Sequence, residues 1–182
     1  AELAAALRAD GVQVGWAAAD AADAADLSGA VQELLDATGP VDVLLYNVSV
    51  GRAAGIPELS PADLAADLAA GAVGLQTAVC AVLPGMRGRG SGTVLVTGGG
   101  SADRPMSSMA SLGVQKAAVR ALAQAQAAAL APEGVHVVTV TIRGLVGKDR
   151  RITPQHIADL YAELVTETSG PPENWRSVVD VP

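Results

Sequence analysis

The residue best placed to do chemistry in this chain is a lone lysine on an otherwise uncharged helical turn. Lys116 lies in the stretch from about Ser107 to Leu130, where Leu112, Val119 and Leu122 recur at helical spacing among Ala, Gln and Arg. Four residues make one turn, so Leu112 and Lys116 share a face. Just upstream, Thr93-Val94-Leu95-Val96-Thr97 reads as a buried strand that stops at Gly98-Gly99-Gly100-Ser101, and residues past that turn face a cleft. Two readings of Lys116 stand side by side: an ammonium that holds a ligand, or a stem that covers apolar surface.

The other reactive side chains read as structural. Tyr46 ends a strand, where a hydroxyl bonded to backbone outweighs a displaced proton donor. Ser101 and Asp103 lack a positioned base, which leaves hydrolase chemistry unsupported. His136 and His156 read as structural or exposed, and no His, Cys or carboxylate pair has metal spacing. Cys80, in an apolar helical run, reads as a packed, reduced thiol. The glycines after Thr97 do not fit a phosphate-binding turn, because the later ones would fall on Ala102 and Arg104, with Pro105 where the helix should already run.

These residues need a scaffold, and the chain alternates strand and helix throughout. Residues 2 to 9 read as the tail of a helix with no N-cap in front of it, closed by Asp10-Gly11; Val12 to Ala17 reads as a strand running into Asp20. Asp26 or Ser28 can cap a second helix that ends at Thr38-Gly39-Pro40. Val41-Asp42-Val43-Leu44-Leu45-Tyr46 is nearly continuous apolar sequence, as in a parallel strand covered on both faces. Ser60-Pro61-Ala62-Asp63 starts a helix to about Val82, which Leu83-Pro84-Gly85 follows. Val135 to Ile142 is another buried strand. A polar loop around Lys148-Asp149-Arg150-Arg151 precedes a helix started by Thr153-Pro154, and Trp175 to Val181 closes as a short strand. The pattern is α/β with a mostly parallel sheet, in one domain spanning 1–182.

Composition excludes several partners. A net charge of -7 and the absence of a Lys/Arg cluster give no footprint for nucleic acid or anionic lipid. Four aromatic residues are too few for a base-stacking surface. No uninterrupted apolar run of about 18 residues marks a membrane span, and one cysteine points to a reducing cytoplasm.

Taken in order, the strand, the helix, Val41 to Tyr46 with Asn47, the long helix ending Leu83-Pro84-Gly85-Met86, the next strand, the helix with Lys116 and the strand ending Arg143-Gly144-Leu145-Val146 resemble the short-chain dehydrogenase/reductase family. The resemblance covers nearly the whole chain, and Thr153 to Trp175 is similar to the closing segment of bacterial members. It implies a Rossmann-like, doubly wound parallel sheet in three αβα layers, NAD or NADP at the carboxyl ends of the strands, and a small carbonyl or alcohol as substrate. It also implies a homo-oligomer through the Ala-rich helices at 60–82 and 107–130, which by their own sequence could equally be core.

The family's catalytic pattern carries over in one position of four. Lys116 matches the lysine that lowers the pKa of a tyrosine and holds the nicotinamide ribose, whereas the tyrosine position is Leu112, the serine position Gly99 and the asparagine position Gly71. By the same resemblance the cofactor is held by Asp20 (adenine), Asn47, Lys116, Gly144 and Val146, although Ser49 replaces a glycine next to the cofactor and Arg143 replaces a proline. The expected result is a degenerate oxidoreductase or, alternatively, a pseudoenzyme that keeps the fold for nucleotide binding or assembly. The family's first strand, glycine-rich turn, helix and second strand have no counterpart here, an expected shortfall of roughly 40 residues. Two absent strands would separate the Val12 strand from the Val41 strand, so these residues are expected not to fold as the family does.

Overall fold

The structure is a computed structural model that describes residues 2–148 and 150–182; Asp149, in the polar loop expected before the last helix, lies outside them, as does Ala1. Helix α1 (Glu2–Ala9) and helix α2 (Ala24–Thr38) precede strand β1 (Val43–Tyr46). Helix α3 (Pro61–Leu68) passes through a π-helical segment, Ala69–Val73, into helix α4 (Gly74–Arg89). Strand β2 (Gly92–Gly99), helix α5 (Ala110–Leu130), strand β3 (Val135–Ile142), helix α6 (Pro154–Thr166) and strand β4 (Val178–Val181) complete the order.

All strand pairs are parallel, in spatial order β1-β2-β3-β4. On one face Val94, Val96, Val135 and Val137 pack with Leu75, Val79, Val82 and Met86 of α4 and Val119 and Ala123 of α5. On the other, Leu95, Val138, Val140 and Val181 pack with Ile152 and with Ile157 and Leu164 of α6. The expected three-layer, Rossmann-like arrangement is therefore present. β2 and β3 are buried on both faces, so Thr93, His136, Thr139 and Thr141 are buried along with the valines between them.

Several boundaries differ from the sequence reading, each for a local reason. The Val12–Ala17 stretch forms no strand: β1 ends the sheet, so the segment has no ladder to join, and Trp16 is 61% exposed. For the same reason the expected gap does not open inside the sheet; the unpaired edge is one side of a four-residue strand. α2 starts earlier than expected because Asp23 caps it, its carboxylate accepting from the Ala25 and Asp26 N–H groups at 2.9 and 3.1 Å. Ser60 and Thr153 cap α3 and α6 as expected.

β2 runs through Gly98 and Gly99 instead of stopping at Thr97, paired with Thr141 and Ile142. A Cβ on Gly98 would sit 3.0 Å from Thr139 Oγ1 and 3.2 Å from Val140 O, so the glycine permits close strand contact and not a turn. α4 continues past Pro84 to Arg89, and Gly90, at φ 64°, ends it in the left-handed conformation. Cys80 lies on the exposed side of α4, accepting from Gln76 Nε2 at 3.1 Å, and is not the packed thiol expected. The helical run Pro61–Arg89 is long and apolar enough to cross a membrane by length and composition, yet Leu75, Val79, Val82 and Met86 are buried on the sheet.

Candidate active site

Parallel strands leave their carbonyl ends open where the chain departs for the next helix, and here those departures converge on one cleft of about 600 Å³. Asn47 and Ser49 enter it after β1, Thr97 to Ser101 from the end of β2, Leu112 and Lys116 from α5, and Ile142 to Val146 from the end of β3. Arg104 and Met106, between β2 and α5, complete the lining. Four of the five cofactor residues expected from sequence, Asn47, Lys116, Gly144 and Val146, therefore meet in one place. Asp20 lies outside this lining, and its carboxylate accepts from the Ala22 N–H at 2.9 Å.

Lys116 is 7% exposed. Its ammonium donates to the carbonyl of Thr97 at 2.8 Å and to that of Val48 at 3.4 Å, so it ties the end of β2 to the segment leaving β1. Burial without a carboxylate partner pushes its pKa below the usual lysine value. The stem is covered, as the second reading expects, and the residue also lines the cleft. The two positions facing it are stripped of polar function. Leu112 occupies the turn before it, and Gly99 presents only space: a Cβ there would lie 3.5 Å from Lys116 Cγ, an ordinary contact.

Neither of the chain's two tyrosines lines the cleft. Tyr46 donates to the carbonyl of Ala70 inside the π-helical segment, as its strand-terminal position suggested, and burial pushes it up to about 12. Gly74 makes this possible, since a Cβ there would fall 2.2 Å from the Tyr46 oxygen. Tyr161, on α6, shares a 2.7 Å hydrogen bond with Thr97 Oγ1, and burial raises its pKa also.

What sequence reasoning missed is the frame around the cleft. Gln115 is 1% exposed, and its amide closes a two-way bond with Val50: Nε2 donates to the Val50 carbonyl and Oε1 accepts from the Val50 N–H, both at 3.0 Å. Its side chain lies against Gly71, where a Cβ would be 3.3 Å from Oε1. Arg52 grips buried Asp67 with Nε and Nη2, at 3.0 and 2.8 Å, and reaches Asp63 at 2.9 Å. The Arg52 bond holds the Asp67 carboxyl below the usual range. The available signal was Asp63 and Asp67, one turn apart on α3 and facing the same way. His136, read from sequence as structural or exposed, is buried and bonded to the Arg176 carbonyl at 2.8 Å, 5.2 Å between ring centres from Trp175. Among the described residues no cluster of three His, Cys, Asp or Glu side chains could hold a metal ion.

Known proteins match this architecture. A metagenomic short-chain oxidoreductase, solved in complex with NADP, superimposes with a TM-score of 0.86 at 23% identity, covering 99% of this chain and 79% of its own. A mutant short-chain dehydrogenase/reductase from Serratia marcescens gives 0.82 at 24% identity, covering 99% and 80%. A short chain dehydrogenase from Mycobacterium smegmatis gives 0.86 at 21% identity, covering 100% and 75%. These likenesses show the shared fold, a parallel sheet in which β1 to β4 run side by side. No match is found among curated proteins. The family model of the short chain dehydrogenases matches residues 1–147, the span that carries β1 to β3, the cleft and Lys116, and the chain belongs to that family.

Proposed function

We propose that this protein is an NAD(P)-dependent oxidoreductase with a degenerate active site, binding a nicotinamide dinucleotide and acting slowly on a small carbonyl or alcohol. The observation that carries the reading is the pairing of Lys116 with Leu112: the ribose-holding lysine is buried in the cleft, and the hydroxyl that would donate the proton is replaced by a hydrocarbon. The residues fit the nicotinamide end of the cofactor. Asn47, Lys116 and the backbone from Gly144 to Val146 would hold it, with Asp20 at the adenine end. When bound, the dinucleotide supplies the hydride. Lys116 is the lining group whose proton burial has loosened, so residual proton delivery falls to it.

A second reading, a pseudoenzyme that keeps nucleotide binding or assembly without turnover, is favoured by Gly71 and Gln115. The place of the family's relay asparagine is taken up by an amide committed to Val50. For assembly, Val73 at the end of the π-helical segment, Gln76 and Cys80 on α4, and Val114, Ala117, Ala121 and Ala125 on α5 form exposed, uncharged rows suited to close approach of a second copy. Light scattering of the wild type and Ala121→Glu tests this, with a dimer or tetramer expected only for the wild type.

The cofactor reading is tested by titrating NADH and NADPH against the wild type and Lys116→Met, following nucleotide fluorescence. Saturable binding that weakens by about tenfold in the variant is expected, the loss of one or two charge-assisted hydrogen bonds. Binding equal in both proteins would remove Lys116 from the cofactor site.

A further inference from the structure

The cleft is positively charged in an acidic protein. Among the described residues its lining contains Lys116, Arg104 and Arg143 and no aspartate or glutamate, while the whole chain carries a net charge of -7. The three cations are not equivalent. Arg143 is neutralised outside the cleft, pairing with Asp103 and Asp180 at 2.9 Å each. Lys116 touches only backbone carbonyls. Arg104 is exposed, and among the described residues its guanidinium has no ion pair or side-chain hydrogen bond. Two cations with no counter-ion among the described residues therefore line a concave site whose other contributors include Met106, Leu112, Leu145 and Val146.

From this lining we infer that the substrate is an apolar molecule bearing a carboxylate, with Arg104 pairing the carboxylate and the hydrocarbon wall taking its body. Arg is suited to this task because its planar fork matches a carboxylate bidentately and is easily desolvated. An exposed guanidinium at the rim of a concave site gains a modest, salt-screened pairing when the ligand supplies the opposite charge, and the apolar wall beside it adds the rest of the binding. Leu112 contributes to selectivity, because its isobutyl group widens the apolar wall beside Lys116, whose ammonium is already held by the Thr97 and Val48 carbonyls, and leaves exposed Arg104 as the cation free to read the ligand's anionic end. The inference rests on the reading above only in taking the cleft as the ligand site.

The test compares 2-naphthoate with 2-naphthamide, matched in shape and differing in charge, by ligand-observed NMR on the full chain. The acid is expected to bind about tenfold more tightly than the amide in the wild type, the worth of one charge-assisted pair. In Arg104→Gln the two should bind within about twofold of each other, and in Arg104→Glu the acid should bind less well than the amide. Arg104 makes no side-chain bond, so both variants should fold, which circular dichroism checks. Acid and amide binding alike in the wild type would overturn the inference, as would a preference that survives in Arg104→Gln. NADPH titrated against the same samples separates the two ideas. Failure of NADPH to bind with the acid preference intact counts against the cofactor reading and supports the anion site. NADPH binding with no acid preference overturns the anion site alone.

Discussion

Gln115 and Lys116 are neighbours on α5, both polar and both almost fully buried, yet they are treated in opposite ways. The amide of Gln115 has a donor and an acceptor, and each meets its complement on Val50. The ammonium of Lys116 meets two carbonyls and no negative charge, at the edge of an open cleft. A buried amide that is fully paired serves the fold, because undoing it strands backbone groups. A buried charge left uncompensated opposes the fold and persists where a ligand can supply what is missing. In this chain the polar groups that frame the cleft are paired with each other, whereas the ammonium inside it meets only carbonyls among the described residues.

Substitution on each side should separate the two roles. Gln115→Leu leaves the Val50 N–H and carbonyl without their partners, which should cost about 2 kcal/mol and lower the Tm by about 4–8 °C. Lys116→Met removes a desolvated charge and keeps the stem volume, so its Tm should change less than that of Gln115→Leu while NADPH binding falls more. Equal thermal effects would erase the distinction. Gly71→Ala sharpens it: the added methyl meets Gln115 Oε1, so the substitution should destabilise the wild type and be tolerated in Gln115→Ala, a coupling that a double-mutant cycle reads directly. Arg52→Met should act in the same direction as Gln115→Leu by freeing the loop after β1 and leaving Asp67 buried without its counter-charge, and added salt should not rescue it.

The smallest expected effect is electrostatic. The Arg120 hydrogen bond, and then that of Arg143, lower the Asp103 carboxyl from 3.8 to about 2. A depressed carboxylate stabilises the fold fully above its unfolded value, and that contribution is lost as pH falls through its folded value. Asp103→Asn should therefore be less stable than the wild type above about pH 4 and indistinguishable from it near pH 2. A difference that persists below pH 2 would assign the effect to packing.

The sheet was legible because its signals are local. β-branched runs marked β2 and β3, Ser60-Pro61 and Thr153-Pro154 marked helix starts, and the turn spacing placed Leu112 over Lys116. The frame of the cleft was not legible, because its bonds join residues far apart in the chain: Gln115 to Val50, Arg52 to Asp67, Tyr46 to Ala70. Periodicity sees one segment at a time and cannot pair an amide with a backbone sixty-five residues away. The Val12 strand failed for a related reason: strand propensity is realised only beside another strand. Arg104 was passed over because nothing in its neighbourhood marks it; its importance comes from the absence of acidic residues across a cleft assembled from four segments.

The most direct test of the account is NADPH oxidation with a panel of small carbonyls by the wild type and by Leu112→Tyr combined with Gly99→Ser, which returns a proton donor and a carbonyl-polarising hydroxyl beside Lys116. A Cβ at Gly99 has room, so the double variant should fold. The account predicts turnover close to background for the wild type and a gain of about 10²-fold or more in the double variant, the usual worth of a positioned general acid, with Leu112→Tyr alone falling well short. Robust oxidation by the wild type, unchanged or lowered by restoring the two hydroxyls, would contradict it.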